Sequence, residues 1–489
     1  MRRIYRRVGV MKNGKRAASG LLRGSAIIAA GGLISKVLGA VYRIPLTNLL
    51  KGEGLGIYQT AFPLYCLLLT FSSTGAPSAI AKLVSSENSG GADVLKRALS
   101  VFTPIGVLGT ILMALLSPLI SALQGNPDAY FVYITLAPSV ALVSVISCFR
   151  GYFQGKKNMA PTAISQVIEQ AVKLAVGLFL CASFGNTPVK AAAFATLAVS
   201  VSEAAALLYL LLLRKKVEDD IPRKKFSAKK LIATVIPITF STLLLPIARV
   251  YDSFTVVNFL KEYTDKATSL YGVYTGGAET VIGLPVSVCY GVAVASLPAV
   301  ASLIGNKEFD KAHEKAGFSL ICTFFLSSAA AVFVLRFPRF IVGAIYGGLT
   351  LEEQALTVSL LKASAINIIL LSLVQTETSC LIAFGKNYAP CVFLVAGLLV
   401  KAVLQPFLLK IPSVNIFAPL ISDILCYFVA VLGNLVYIII YRNKGWIKTA
   451  DENNSCGNRN KVGRYISRRA RRSEKRQKSL FAHRSFGKR

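Results

Sequence analysis

Apolar runs dominate the chain from Ser25 to Tyr441, and polar residues gather in the short stretches between them. A helix needs roughly 20 predominantly apolar residues to cross about 30 Å of hydrocarbon. On that measure the pattern predicts about twelve spanning helices, near residues 25–46, 56–84, 98–123, 130–149, 161–184, 190–213, 231–259, 270–304, 316–337, 355–384, 389–409 and 414–441. The expected fold class is all-α, a polytopic membrane protein.

The two halves of this pattern resemble each other. FQGKKNMAP at 153–161, opening the fifth span, matches FGKNYAP at 384–390, opening the eleventh, and each leads into an apolar helix with a lysine, Lys173 or Lys401. APSAIAKL at 76–83, ending the second span, likewise matches SLPAVASL at 296–303, ending the eighth. Six spans per half is an even number, so the halves share one orientation and are related by an axis along the membrane normal. The predicted organisation is a basic arm at 1–24, a first six-helix unit at 25–213, a basic linker at 214–230, a second unit at 231–441, and a basic tail at 442–489 with the composition of a disordered segment.

Composition agrees with a membrane chain. Hydrophobic residues fill 54% of the 489 positions, charged residues only 16%, and the mean hydropathy is +0.57. The formal charge of +32 changes the picture only through its location. It sits in MRRIYRRVGVMKNGKR at the start, in RKKVEDDIPRKK between the halves, and in SRRARRSEKRQK near the end. Lys and Arg flanking spans set topology and meet anionic lipid, so anionic membrane lipids are the expected partners of these segments and nucleic acid is not. With the arm inside, Lys96/Arg97, Arg150/Lys156/Lys157, Lys307/Lys311/Lys315, Lys386 and the tail all fall on the same side, which predicts both termini in the cytoplasm. The first run contains Lys36 and exceeds a signal-peptide core in length, so it reads as a span. Nine scattered cysteines and two histidines, His313 and His483, form no metal-binding or redox spacing.

The informative residues are those that cost energy in lipid, where a charge at a helix centre costs about 2.5–3.5 kcal/mol and turns toward a protein-lined space. In the first span Ser25, Gly32, Lys36, Gly39 and Arg43 fall on one narrow stripe, alternating small residues with cations. Such a stripe opens a groove lined with positive charge, although Arg43 can instead snorkel to the outer interface. The fifth span carries Thr162, Gln166, Glu169, Gln170, Lys173 and Gly177 on one face. Glu169 and Lys173 are spaced to pair as a structural salt bridge, which leaves the glutamines unexplained. The seventh span holds Arg249, Asp252 and Ser253, and the eighth places Gly272, Gly276, Glu279 and Gly283 on one stripe. Asn367, Gln375, Glu377 and Thr378 add polar groups to the tenth span, Lys401 and Gln405 to the eleventh. Pro45, Pro246, Pro285 and Pro298 are candidate hinges, since each removes a backbone hydrogen bond inside a span.

No catalytic constellation is present. There is no GxxxxGK[ST], GxSxG or HExxH, and the two histidines are too few for a base network. The chain is not expected to be an enzyme, and any energy for transport comes from an ion gradient, the membrane potential or the substrate's own gradient. The expected cofactor list is empty apart from sodium or a proton as coupling ion, through Asp252, Glu279 or Glu377.

GLISKVLGAVYRIPLTNLLKGEGLGIYQTAFPLYCLLLTFSSTGAPSAIAKLVS, together with YFQGKKNMAPTAISQVIEQAVKL, resembles polysaccharide biosynthesis proteins of the stage V sporulation protein B type. These are grouped with lipid II and oligosaccharide-lipid flippases in the multidrug/oligosaccharidyl-lipid/polysaccharide (MOP) exporter superfamily. The resemblance covers Arg23 to about Tyr441 and implies a MATE-like fold: two six-helix lobes around a central cavity, rocking between inward and outward access. It also implies an undecaprenyl-linked anionic glycan as substrate, carried from the inner to the outer leaflet of a bacterial plasma membrane, with cell-wall synthesis enzymes as further partners. In the lipid II flippases, cations of the first helices and the eighth line the cavity. Carried over by position, this favours Lys36 and Arg43; the eighth span here offers Glu279 and no arginine, so Arg249 stands as the substitute. Gln166, Glu169, Gln170, Lys173 and Lys401 complete the candidate substrate-binding set.

Two other functions remain open on the sequence. A drug/cation antiporter of the same superfamily would centre its site on a carboxylate such as Glu279. A non-transporting scaffold for cell-wall synthesis would depend on the basic tail more than on the intramembrane charges.

Overall fold

The computed structural model describes residues 2–440 apart from 74, 86–90, 216–230, 233–234, 236–238, 240–241 and 387, with backbone alone at 2–26, 28–29, 33, 36 and 71–73. The predicted basic tail and most of the basic linker therefore lie outside the described residues. Along the chain follow α1 (Arg2–Ser73), α2 (Gly75–Val84), α3 (Gly91–Leu115), α4 (Ser117–Leu123), α5 (Tyr130–Gly155), α6 (Ala160–Phe184), α7 (Pro188–Arg214), α8 (Leu244–Leu260), α9 (Ala267–Gly272), α10 (Glu279–Gly305), α11 (Phe309–Arg336), α12 (Pro338–Ile345), α13 (Leu351–Ala383), α14 (Tyr388–Leu409) and α15 (Phe417–Ile440). Among the described residues every regular element is helical.

Ten helical segments are long and apolar enough to cross a membrane, and their arrangement accounts for the difference from the twelve expected. The first, Ala30–Val84, has 55 residues, about 80 Å at 1.5 Å per residue, which is more than two bilayer cores. It bends at Lys51, whose φ of 55° and ψ of −169° leave the helical region, so the predicted first and second spans are its two arms. The predicted seventh span is described only in part, as helical positions at 231–242 followed by α8. Apolar side chains cover the outside of the bundle, Leu115, Phe325, Phe340 and Phe407 among them, as lipid-facing helices require.

The cores are divided between the halves. Two buried clusters draw only on residues up to Val235, and three others only on residues from Leu244 onward. Leu231 and Val235, which open the predicted seventh span, pack with Ile80, Tyr152 and Leu210 of the first set. Small residues let the helices approach closely. A Cβ on Gly151 or Gly155 of α5 would stand 2.8 Å from Ile80 Cβ and 2.5 Å from Val84 Cβ of α2.

The matched loops of the internal repeat also turn alike. The chain takes a positive φ at Lys157 just before α6 and at Gly385 just before α14. Each helix then carries a proline in its first turn, Pro161 or Pro390, where no intrahelical donor is lost.

At one end of the bundle the halves are locked together. Gln124 Nε2 donates to Ser253 Oγ at 2.9 Å, Asn258 Nδ2 to the Leu123 carbonyl at 2.6 Å, and Gly348 N to Asn48 Oδ1 at 2.8 Å. Here the backbones themselves meet: a Cβ on Gly56 would lie 2.0 Å from the Thr268 carbonyl oxygen, and one on Gly272 would lie 2.3 Å from Gly56 N. Gly52 and Gly56 thus cross Gly272 and Gly276 as two small-xxx-small stripes.

Candidate functional site

Below this seal a cavity of about 610 Å³ lies between the halves. Along α1 its wall runs from Thr47 back to Ser35, about 18 Å at 1.5 Å per residue. The stripe predicted from the first span forms part of it: Gly39 and Arg43 face the cavity, and a Cβ on Gly32 would meet nothing within 4 Å. The Lys36 side chain lies outside the described residues.

Arg43 reaches across to the other half, where Nη1 donates to Thr280 Oγ1. It is therefore a cavity residue and not a snorkelling one. Lys173, on α6, faces it with Nζ 5.9 Å from the centre of the Tyr42 ring, and Gln170 lines the same wall. Among the described residues neither Arg43 nor Lys173 has a carboxylate partner. Arg249 of α8, with its side chain 54% exposed, lines the opposite wall and pairs with Glu279 at 3.0 Å.

Glu169 does not pair with Lys173. It accepts from Arg150 Nη2 at 3.1 Å and from Gln170 Nε2 at 3.1 Å, while Arg150 Nε donates to Ser165 Oγ at 3.0 Å. The neighbouring helix thus supplies a fixed guanidinium, and Lys173 is left to the cavity. Gln166, on the same helix, has its Oε1 buried and unpartnered among the described residues.

Lys401 is a correction to the predicted substrate set. Its side chain is 2% exposed and Nζ stands 2.7 Å from Asp252 Oδ2 and 2.5 Å from Asp423 Oδ1, inside the second half and away from the cavity. A buried ammonium needs such carboxylates far more than a solvated one does. Gln405 extends the layer, donating to Thr255 and accepting from Ser422, both at 2.9 Å. Glu377 is also buried apart from the cavity, as is Asn434. The Tyr274 hydroxyl joins the layer to the cavity, 3.2 Å from Asp423 Oδ2 and 3.3 Å from Glu279 Oε1.

Tyr274 lies in a π-helical turn, Val273–Ala278, between α9 and α10. Tyr346 steadies that turn by donating toward the Gly277 and Gly276 carbonyls at 2.9 and 3.2 Å. Among the described residues this turn and Lys51 interrupt the helices near the cavity, and the predicted proline hinges are placed differently. Pro45 stays within helical α1 short of the bend, and Pro246 occupies the first turn of α8, where its missing N–H is not needed. Pro285 and Pro298 lie inside α10.

Asp423 and Glu203 were not singled out from the sequence, although each is an ionisable residue inside an apolar run and so carries the signal used for the others, and Arg150 was read only as a cation flanking the cytoplasmic end of its span. Gln59, Tyr274 and Thr280 carried no such signal, because polar uncharged residues are common in spans.

A family model described as polysaccharide biosynthesis protein matches residues 21–304. The chain belongs to that family. Stage V sporulation protein B of Bacillus subtilis is 28% identical over 396 residues, covering 73% of this chain and 76% of the relative. Lipid II flippase MurJ of the same organism is 26% identical over 461 residues, covering 88% and 84%. Among solved structures, an inward-facing multidrug resistance MATE family transporter of the MOP superfamily superposes with a TM-score of 0.71 at 13% identity, over 84% of this chain and 96% of that one. The member described here is thus a multi-pass membrane protein with the MATE fold, in a family of transporters and not of catalysts.

Proposed function

We propose that this family member moves an undecaprenyl-linked glycan diphosphate, lipid II or a related lipid-linked oligosaccharide, from the inner to the outer leaflet by alternating access. The observation that carries the reading is the charge of the sealed cavity: among the described residues Arg43 and Lys173 have no carboxylate partner, and Glu279, the acid lining it, is held by Arg249. A diphosphate brings roughly two negative charges into a space where charge-assisted hydrogen bonds from Arg and Lys are strong. A cationic drug would meet repulsion there, which disfavours an antiporter centred on Glu279. With both termini cytoplasmic, the sealed end faces outward and the cavity faces the leaflet where the substrate is made. Moving each negative charge outward through a 100 mV inside-negative potential releases about 2.3 kcal/mol, so the potential contributes to the drive, together with sodium or a proton as coupling ion.

Reconstituted vesicles provide the test. Defined lipid-linked diphosphate sugars are scored for inner-to-outer movement with and without an imposed potential, for the wild type and for Arg43→Ala and Lys173→Ala. The expected result is transport accelerated by an inside-negative potential and lost in the double variant. Equal transport by the double variant, correctly inserted, would sink the cavity assignment; loss of cell-wall function on removing the tail alone would favour the scaffold.

A further inference from the structure

Behind the first-half wall of the cavity lies an acid that the transport reading does not use. Glu203 of α7 is 4% exposed, and its Oε2 is buried with no hydrogen-bond partner among the described residues. α7 packs along α6, the helix that presents Lys173 to the cavity. The charges of Glu203 and Lys173 act on each other, yet among the described residues the two side chains form no ion pair.

The other charged groups around them are committed elsewhere. Glu169 of α6 is held by Arg150 of α5 at 3.1 Å, and Arg43 of α1 donates to Thr280 of the second half. Across the cavity Arg249 and Glu279 answer each other. The remaining titratable groups in reach, Tyr42, Tyr65 and Cys66 of α1, are neutral at physiological pH. One cation and one acid are therefore left over, on adjacent helices. An ammonium on an apolar wall sheds its proton unless a negative charge stays within reach. A carboxylate in direct contact would hold the charge but would also occupy the donors that a diphosphate needs. Glu203 avoids that conflict by acting from behind the wall.

We propose that Glu203 is the internal counter-charge that keeps Lys173 an ammonium while leaving its donors free for the cavity. It is a positioning residue, acting through the lysine and touching no substrate. Its part in capturing a diphosphate rests on the transporter reading; the charge it maintains on Lys173 does not.

Full-length protein in nanodiscs, trace-labelled with acetic anhydride at neutral pH and read by peptide mass spectrometry, tests the charge without any substrate, because only the neutral amine reacts. Labelling of Lys173 relative to exposed Lys261 should rise about tenfold in Glu203→Gln and stay within about twofold of wild type in Glu203→Asp, which keeps the carboxylate. Equal labelling in Glu203→Gln and wild type overturns the proposal, as does an equal rise in both variants, which would mark Glu203 as packing alone. Binding of undecaprenyl diphosphate N-acetylglucosamine to the same nanodiscs tests the role. Glu203→Gln should weaken it by about tenfold in the Lys173 protein and leave it unchanged in a Lys173→Arg background, since arginine keeps its charge unaided. The same loss in both backgrounds overturns the role. If the wild type binds no lipid-linked diphosphate, the transport reading fails, and the labelling still decides what Glu203 does to Lys173.

Discussion

Gly56→Ala is expected to open the seal. The added Cβ would stand 2.0 Å from the Thr268 carbonyl oxygen and 2.7 Å from its carbon. These are backbone atoms, which cannot swing aside as a side chain does, and ordinary contact begins more than an ångström farther out. The halves must part at this crossing, where Gly272 likewise has no room for a side chain. Overpacking of this kind costs about 1–3 kcal/mol, a five- to 150-fold shift away from the sealed state if it falls on that state alone. Gly283→Ala is the control, because a Cβ there meets nothing within 4 Å although the residue lines the cavity. Spin labels on exposed Asp128 and Lys261, one on each half beside the Leu123–Asn258 contact, with the native cysteines replaced, report the separation by electron-electron resonance. The Gly56 variant should lengthen the main distance population and Gly283→Ala should not. Identical distributions for the Gly56 variant and the wild type would refute the idea that this crossing holds the seal.

Lys401→Met should lower stability by about 3–5 kcal/mol, since it leaves Asp252 and Asp423 buried without their cation; adding Asp252→Asn and Asp423→Asn should recover most of the thermal unfolding temperature. Thr350→Ala removes the capping box at the start of α13, where Thr350 accepts from Glu353 N and Glu353 reaches back to Thr350 N, and should cost about 1 kcal/mol by the same measurement. Gly151→Ala, packed against Pro77 and Ile80, should destabilise by about 1–3 kcal/mol in the same thermal measurement.

The spans were legible because bilayer thickness imposes a length and composition that each helix must meet alone. The rule does not reach backbone breaks. No property of Lys51 announces a left-handed residue within an apolar run, and the π turn at Val273–Ala278 is held by Tyr346 from a distant segment. The prolines marked plausible bends, yet Pro45 and Pro246 are accommodated where the helix tolerates them. Backbone breaks here follow from tertiary support, which a local pattern does not encode.

Charge identity was legible in the same way, and charge pairing was not. Arg43, Lys173, Arg249 and Lys401 look alike in the sequence, as single cations in apolar runs. The fold separates them by what comes opposite. Asp252 lies 149 positions from Lys401 and Asp423 lies 22 away, and together they convert a candidate substrate contact into a buried internal pair. The local reading also favoured Glu169 with Lys173, one helical turn apart, but Arg150 claims the carboxylate from the next helix and leaves the lysine for the cavity. Among the described residues lining the cavity, the cations without a carboxylate partner therefore stand on the first-half wall, while Arg249 of the second half is held by Glu279. An entering anion gains most at Arg43 and Lys173, because at Arg249 it must share the guanidinium with Glu279.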